Sequence, residues 1–169
     1  MKISAVHSQP TGPAFDVVLL LHVGCVVVGL ATVVTSGAVA ARLRRVLEEM
    51  APLPEVVRRY FEPGVNWAGR TIYGIPIFGV VLLALSGGSY GFKDAWVTSG
   101  LGIFAVVVLL AEGVLWPSER RLQASLVPYR EGGKAVGEDV RNDARAMALS
   151  ATGCVLLLLL GSALMLAQP

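Results

Sequence analysis

The chain has 169 residues, of which 54% are hydrophobic and 15% are charged. A soluble domain carries close to a quarter of its residues as charges, so this composition excludes an ordinary soluble domain and indicates an integral membrane protein. The formal net charge is only +2, and acidic residues are interleaved with the basic ones. This pattern argues against a nucleic-acid-binding surface.

Four apolar stretches are long enough to cross a bilayer, because a hydrocarbon core of about 30 Å needs about 20 helical residues at about 1.5 Å each. The predicted spans are 17–41, 67–88, 95–116 and 146–167. They predict an all-α fold, in which a single membrane domain forms a four-helix bundle. The connections that remain are too short to hold a soluble domain.

The connections after the first and third spans predict short amphipathic helices on the cytoplasmic face. "RLRR" follows the first span directly, as in a stop-transfer sequence. Pro52 and Pro54 then end the helix, and "PEVVRRYFEPG" is typical of a short helix that lies on the membrane surface. "SERRLQASLV" predicts a second surface helix after the third span.

The distribution of basic residues predicts the orientation of the chain. Lys and Arg in short loops stay on the cytoplasmic side. The first and third connections hold Arg42, Arg44, Arg45, Arg58, Arg59, Arg120, Arg121, Arg130, Lys134, Arg141 and Arg145. The opposite side holds only Lys2 and Lys93. We therefore expect both termini and the tight second connection to lie outside.

Proline and tryptophan mark further features of the spans. Pro76, in "YGIPIFG", should kink the second span and free a backbone carbonyl near the bilayer centre. Trp67, Trp96 and Trp116 stand at the ends of the second and third spans, where tryptophan is typical of an interfacial anchor.

Two opposite charges lie within the second and third spans. In the predicted topology Glu112 lies about 6 Å above Trp116 and Arg70 about 5 Å above Trp67, from the helical rise. An unpaired charge in this layer costs on the order of 2 to 3 kcal/mol. The matching depth predicts an ion pair between Arg70 and Glu112 that fixes the second span against the third. A proton-handling or substrate-binding role for Glu112 is the alternative.

His22 is the one histidine that falls within a predicted span. The hydroxyls of Ser162, Thr98 and Ser99 lie at similar depth, and we expect one of them to accept its proton. The alternatives are ligation of a haem or metal, proton transfer and quinone binding. A metal site normally needs several convergent donors, and the spans offer one strong donor.

The sequence holds no recognisable catalytic motif: CxxC, HExxH and a phosphate-binding glycine loop are all missing from it. Cys25 and Cys154 fall inside apolar spans and are predicted to be small packing residues.

Several segments together resemble a family of small bacterial four-span membrane proteins of unknown function. These segments include "LLLHVGCVVVG", "GIPIFGVVLLALSGG" and the terminal "LMLAQP". That family is similar to the copper-resistance D proteins and to the membrane-bound protoporphyrinogen oxidase. The resemblance implies a bacterial inner-membrane location and, for the oxidase, haem bound by a histidine early in the first span and a lysine in the third. His22 matches the histidine, but residues 95–116 contain no lysine.

Three hypotheses on function follow. The first is a non-catalytic accessory or assembly subunit, with no cofactor, that contacts the lipid bilayer and other membrane subunits or further copies of itself. The second is a haem-handling or redox membrane enzyme that uses His22. The third is a small-solute transporter in which Pro76 opens a cavity and the pair of Arg70 and Glu112 gates its inner end.

Overall fold

The computed structural model describes the backbone of residues 12–130 and 137–167, and the side chains of residues 12–127 and 137–167. Its regular secondary structure within these ranges is helical throughout, which confirms the predicted all-α fold. Four helical segments are long and apolar enough to cross a membrane: Pro13–Glu48, Trp67–Leu85, Ala95–Val127 and Glu138–Leu166. The chain is therefore a multi-pass membrane protein.

Two of these segments are continuous helices and two contain an irregular turn. The elements are α1 (Pro13–Glu48), α2 (Glu55–Tyr60), α3 (Trp67–Arg70), a 3-10 turn (Thr71–Tyr73), α4 (Gly74–Leu85), α5 (Ala95–Leu110), a π turn (Ala111–Leu115), α6 (Trp116–Arg130) and α7 (Glu138–Leu166). The second segment joins α3 to α4, and the third joins α5 to α6.

The 3-10 turn stands directly before the proline of the second segment. Pro76 has no N–H to donate to the carbonyl four residues earlier, so the regular bonding pattern of an α-helix is interrupted there. The Gly74 N–H instead bonds to the carbonyls of Thr71 and Ile72. The tighter turn accommodates the proline without ending the segment.

The connection after the third span differs from the prediction. "SERRLQASLV" is not a separate surface helix, because the helix continues from α5 through the π turn into α6. Pro117 lies in the first turn of α6, and the π turn before it shifts the backbone bonding so that the missing N–H does not break the helix. One face of α6 is buried against α7 and the rest of the bundle: Ser118, Glu119, Leu122 and Leu126.

The outward faces of the long helices are apolar, as a membrane environment requires. Leu20, Leu109 and Leu156 are 72%, 71% and 62% exposed. In water these side chains would form large apolar patches, whereas lipid tails solvate them.

The helices pack in the order α4, α1, α7, α5. Helix α1 packs along both α4 and α7, and α7 packs along α5, but α4 has no comparable packing against α5 within the described residues. The largest fully buried side chains lie toward the end of the bundle that carries α2 and α6, which is the inner end in the predicted topology: Phe61, Leu43, Ile72, Leu115, Leu122 and Leu126. The opposite half, which we name the outer half after the predicted topology, has fewer fully buried side chains and holds a cavity between α4 and α5.

Candidate functional site: an apolar cavity beside His22

A cavity of about 340 Å³ lies in the outer half of the bundle. All four long segments contribute to its wall, and the side chains that line it are mostly aliphatic or aromatic. They include Leu19, Val26, Pro76, Leu83, Trp96, Phe104, Leu158 and Met165. Its polar side chains are few: His22 of α1, Ser162 of α7 and, in the link between α4 and α5, Tyr90. The dimensions and lining are typical of a site for a small apolar molecule.

The imidazole of His22 is held in a fixed orientation. Its Nδ1 lies 2.9 Å from the backbone carbonyl oxygen of Ile75. Gly79 of α4 lies beside the ring, since a Cβ at that position would be in van der Waals contact with His22 Cε1, at 3.4 Å. A carbonyl oxygen only accepts hydrogen bonds, so Nδ1 carries the proton and, in the neutral ring, Nε2 is an acceptor.

The Nε2 atom of His22 has no hydrogen-bond partner among the described residues. His22 is only 6% exposed and lines the cavity. Every fully enclosed side-chain nitrogen or oxygen in the described ranges has a partner, so Nε2 is not sealed in the protein. It is therefore available to a molecule in the cavity.

This geometry corrects the predicted partners of His22. The Ser162 hydroxyl donates to the carbonyl of Leu158, and the Thr98 hydroxyl donates to carbonyls of its own helix. Thr98 and Ser99 are both exposed. Hydroxyls on a helix readily bond to a carbonyl one turn earlier, and this local bond satisfies them without His22.

Four side chains join the second segment to the third near their inner ends. They are Arg70, Tyr73, Glu112 and Trp116, and we name them the inner clamp. Arg70 Nη1 lies 3.3 Å from Glu112 Oε1. The Tyr73 hydroxyl donates to the same carboxylate oxygen. The Arg70 guanidinium carbon lies 3.7 Å from the centre of the Trp116 ring, in a cation–π contact. The clamp thus joins two segments whose outer halves do not pack together.

The three tryptophans have different surroundings. Trp67 is 76% exposed at the start of α3. Trp96 lines the cavity and packs edge to face against Tyr90 at 5.5 Å. Trp116 is buried, only 5% exposed, and its contacts are with Arg70 and Tyr73. An anchoring role at the membrane surface stays a prediction for Trp67 and Trp96, and the contacts of Trp116 indicate packing within the protein.

A second polar cluster lies beside the inner clamp. The Tyr60 hydroxyl and Ser36 Oγ are 2.6 Å apart, and Glu119, which is 5% exposed, lies close to Tyr60 and Asn66. The Asn66 side chain accepts the Gly69 N–H at the start of α3. Burial and the nearby Glu119 carboxylate raise the pKa of Tyr60, so its phenol stays protonated and can donate a hydrogen bond.

Sequence reasoning did not identify Tyr73 or Glu119, and it placed Tyr60 at the membrane surface, whereas its hydroxyl bonds to Ser36 of α1. The spacing of Arg70 and Tyr73 does indicate that Tyr73 lies on the same side of the helix as Arg70, because residues three apart lie on one face of a helix. No pattern in the sequence indicates that Glu119 is buried, since a carboxylate in an arginine-rich segment is usually solvated.

Among the described residues, no group of three or more His, Cys, Asp or Glu side chains could hold a metal ion. Comparison with known proteins found no match to this chain in protein-family models, curated proteins or solved structures.

Proposed function

We propose that this protein binds a lipophilic small molecule, which enters the cavity beside His22 from the outer half of the membrane. The observation that carries the proposal is the Nε2 atom of His22: it lacks a partner among the described residues, and His22, which is 6% exposed, lines the cavity. A hydrogen bond that a ligand donates to Nε2 would contribute about 0.5 to 1.5 kcal/mol to binding.

The arrangement of the helices supports access from the membrane. Because α4 packs on α1 and not on α5, a gap separates α4 from α5 beside the cavity, and in this proposal the gap is the entry from lipid. The inner clamp closes the same gap toward the inner end. A molecule dissolved in the outer half of the bilayer could therefore reach His22 without crossing water.

Haem, which the family resemblance implies, fits this cavity only in part. His22 could supply one axial nitrogen, and a metal-bound histidine often donates its other N–H to a carbonyl, as His22 does to Ile75. However, no Arg or Lys is found among the described residues that line the cavity, so nothing there would neutralise the propionates. We derive no reaction step through haem.

The accessory-subunit and transporter hypotheses stay predictions. Pro76 does line the cavity, as the transporter hypothesis requires. None of the four inner-clamp side chains lines the cavity, and Ile72 and Leu115, which lie on the inner side, are fully buried. Ligand binding requires only that the cavity is open through the gap between α4 and α5.

Filling the cavity tests the proposal. Gly100 lines the cavity, and a Cβ there would meet only Met165 Cε, at 3.7 Å. We expect Gly100→Leu to fold and to bind a lipophile at least about tenfold more weakly, because the added side chain occupies ligand space. Binding is measured in lipid vesicles as quenching of Trp96 fluorescence by p-dodecylphenol with a bromine on its tail. The Trp96→Phe protein gives the background from Trp67 and Trp116.

Gly102→Leu is the matched control. Gly102 lies on the same helix and is exposed, and nothing lies within 4 Å of a Cβ placed at this position, so the same substitution there leaves the cavity unchanged. Equal quenching in Gly100→Leu and Gly102→Leu proteins would show that the probe does not occupy the cavity and would contradict the proposal.

A further inference from the structure

The polar side chains in the cavity wall indicate which head group it accepts. Nδ1 of His22 is committed to the Ile75 carbonyl, so Nε2 of the neutral ring offers a lone pair. Ser162 donates its hydroxyl proton to the Leu158 carbonyl at 2.9 Å, so its oxygen also offers lone pairs. These two side chains, on the adjacent helices α1 and α7, are thus both acceptors.

A ligand that meets two acceptors must bring a hydrogen-bond donor. A carbonyl, ether or ester oxygen opposite Nε2 would place two lone pairs against each other and leave both groups unsatisfied. Apart from the Tyr90 hydroxyl and the indole N–H of Trp96, two rings that pack against each other at 5.5 Å, the remaining described side chains of the wall are aliphatic or aromatic, which favours a long hydrocarbon tail and disfavours a charged head group.

On the basis of the proposed function, we infer that the ligand is a neutral lipophile with a hydroxyl head group, such as a phenol, a quinol or a long-chain alcohol, and that its hydroxyl donates to His22 Nε2. A quinone or an ether of the same shape binds more weakly. Discrimination of this kind is strong when a site is built around a hydroxyl, because the analogue without it leaves buried polar groups unpaired.

The test compares two tail-brominated probes that differ in one methyl group. p-Dodecylphenol carries the donor, and p-dodecylanisole carries the same ring and tail with the hydroxyl methylated. Both are compared at equal mole fraction in the vesicle lipid, so that partitioning into the bilayer is accounted for. With the full-length protein we expect the phenol to quench Trp96 with at least about tenfold higher affinity, the ratio that one well-formed buried hydrogen bond provides.

Two variants of His22 separate recognition from packing. His22→Phe keeps an aromatic ring and removes the acceptor, so the affinity for the phenol should fall to that for the anisole while the anisole affinity stays unchanged. His22→Gln retains one donor and one acceptor, and we expect it to keep part of the preference for the phenol. Circular dichroism checks that each variant folds.

The outcomes distinguish this inference from the proposed function. Equal affinities of the wild-type protein for the two probes would overturn the inference and leave the proposed cavity binding intact. A preference for the phenol that persists in a folded His22→Phe protein would also overturn it. Quenching by both probes that is unaffected by Gly100→Leu would instead refute the proposed function. The comparison on wild-type protein decides the question even if His22→Phe does not fold.

Discussion

Replacement of Glu112 by Arg is expected to lower the free energy of unfolding by about 2 kcal/mol, because the Arg70 and Glu112 side chains, 27% and 47% exposed, lie within candidate membrane spans. The substitution places a second positive charge beside Arg70, whose Nη1 lies 3.3 Å from the carboxylate in the native protein. It also removes the acceptor of the Tyr73 hydroxyl. Equilibrium unfolding in mixed detergent micelles measures the change.

Two further variants show whether the loss comes from the ion pair. Glu112→Gln keeps an oxygen for Tyr73 and removes only the charge, so we expect a smaller loss, about 1 kcal/mol. The double exchange of Arg70→Glu with Glu112→Arg restores opposite charges and should recover part of the loss. Recovery stays incomplete, because a carboxylate over the face of Trp116 meets the negative side of the ring quadrupole. If the double exchange recovers no stability, the ion pair does not hold the two segments together.

Replacement of Gly29 by Leu should destabilise the protein by about 2 to 3 kcal/mol through overpacking. Gly29 is buried where α1 crosses the 3-10 turn, and a Cβ at this position would lie 2.8 Å from Ile72 Cγ2 and 3.6 Å from Ile72 Cα. The second segment must therefore move away from α1. Because Ile75 lies one turn beyond Ile72, the bond between His22 and Ile75 should weaken, and with it the binding of the phenol probe.

Gly24→Leu is the matched control on the same helix. Gly24 is exposed, and nothing lies within 4 Å of a Cβ placed there. Its free energy of unfolding should stay within about 0.5 kcal/mol of the wild-type value, as for other surface positions. A loss in Gly24→Leu equal to that in Gly29→Leu would mean that the effect arises from glycine replacement in α1 in general and not from contact with Ile72.

The apolar stretches were sufficient to predict the all-α fold and the four candidate spans, because the length of a hydrophobic run is a direct physical requirement of the bilayer. The depths of Arg70 and Glu112 follow in the same way from the rise of a helix, and the structure brings the two side chains together. Both inferences depend on distances along a helix axis, and the rise per residue gives these distances directly from the residue numbers.

Residue numbers do not indicate in the same way which helices pack against each other. Apolar residues cover the spans on all sides, so periodicity does not reveal that α4 packs on α1 and leaves a gap toward α5. The cavity follows from that gap and could not be predicted. The continuation of the third span past Pro117 depends on a π turn, which no residue pattern before the proline indicates.

The partner of His22 was missed for a related reason. The predicted acceptors are hydroxyl side chains, whereas the acceptor is the backbone carbonyl of Ile75, a group that every residue carries. The consequence for function is considerable, since this bond orients the ring and leaves Nε2 available to the cavity.

The structure divides the bundle into two halves with different physical roles. The inner half is tightly packed, and the non-covalent contacts of the inner clamp join its second and third segments, which should give it high stability. The outer half is less tightly packed and contains the cavity, where Nε2 of His22 has no hydrogen-bond partner among the described residues. Binding sites are commonly less stable than the scaffold that supports them, and this division is consistent with the proposed function.

The most direct test of the proposal that the cavity holds a lipophile is native mass spectrometry of the protein released gently from its own membranes. We expect a chain that carries a lipophilic small molecule, and we expect the bound mass to be lost in Gly100→Leu and retained in Gly102→Leu. A chain found without any bound small molecule, in a fixed complex with another membrane protein, would contradict the proposal and would favour the accessory-subunit hypothesis.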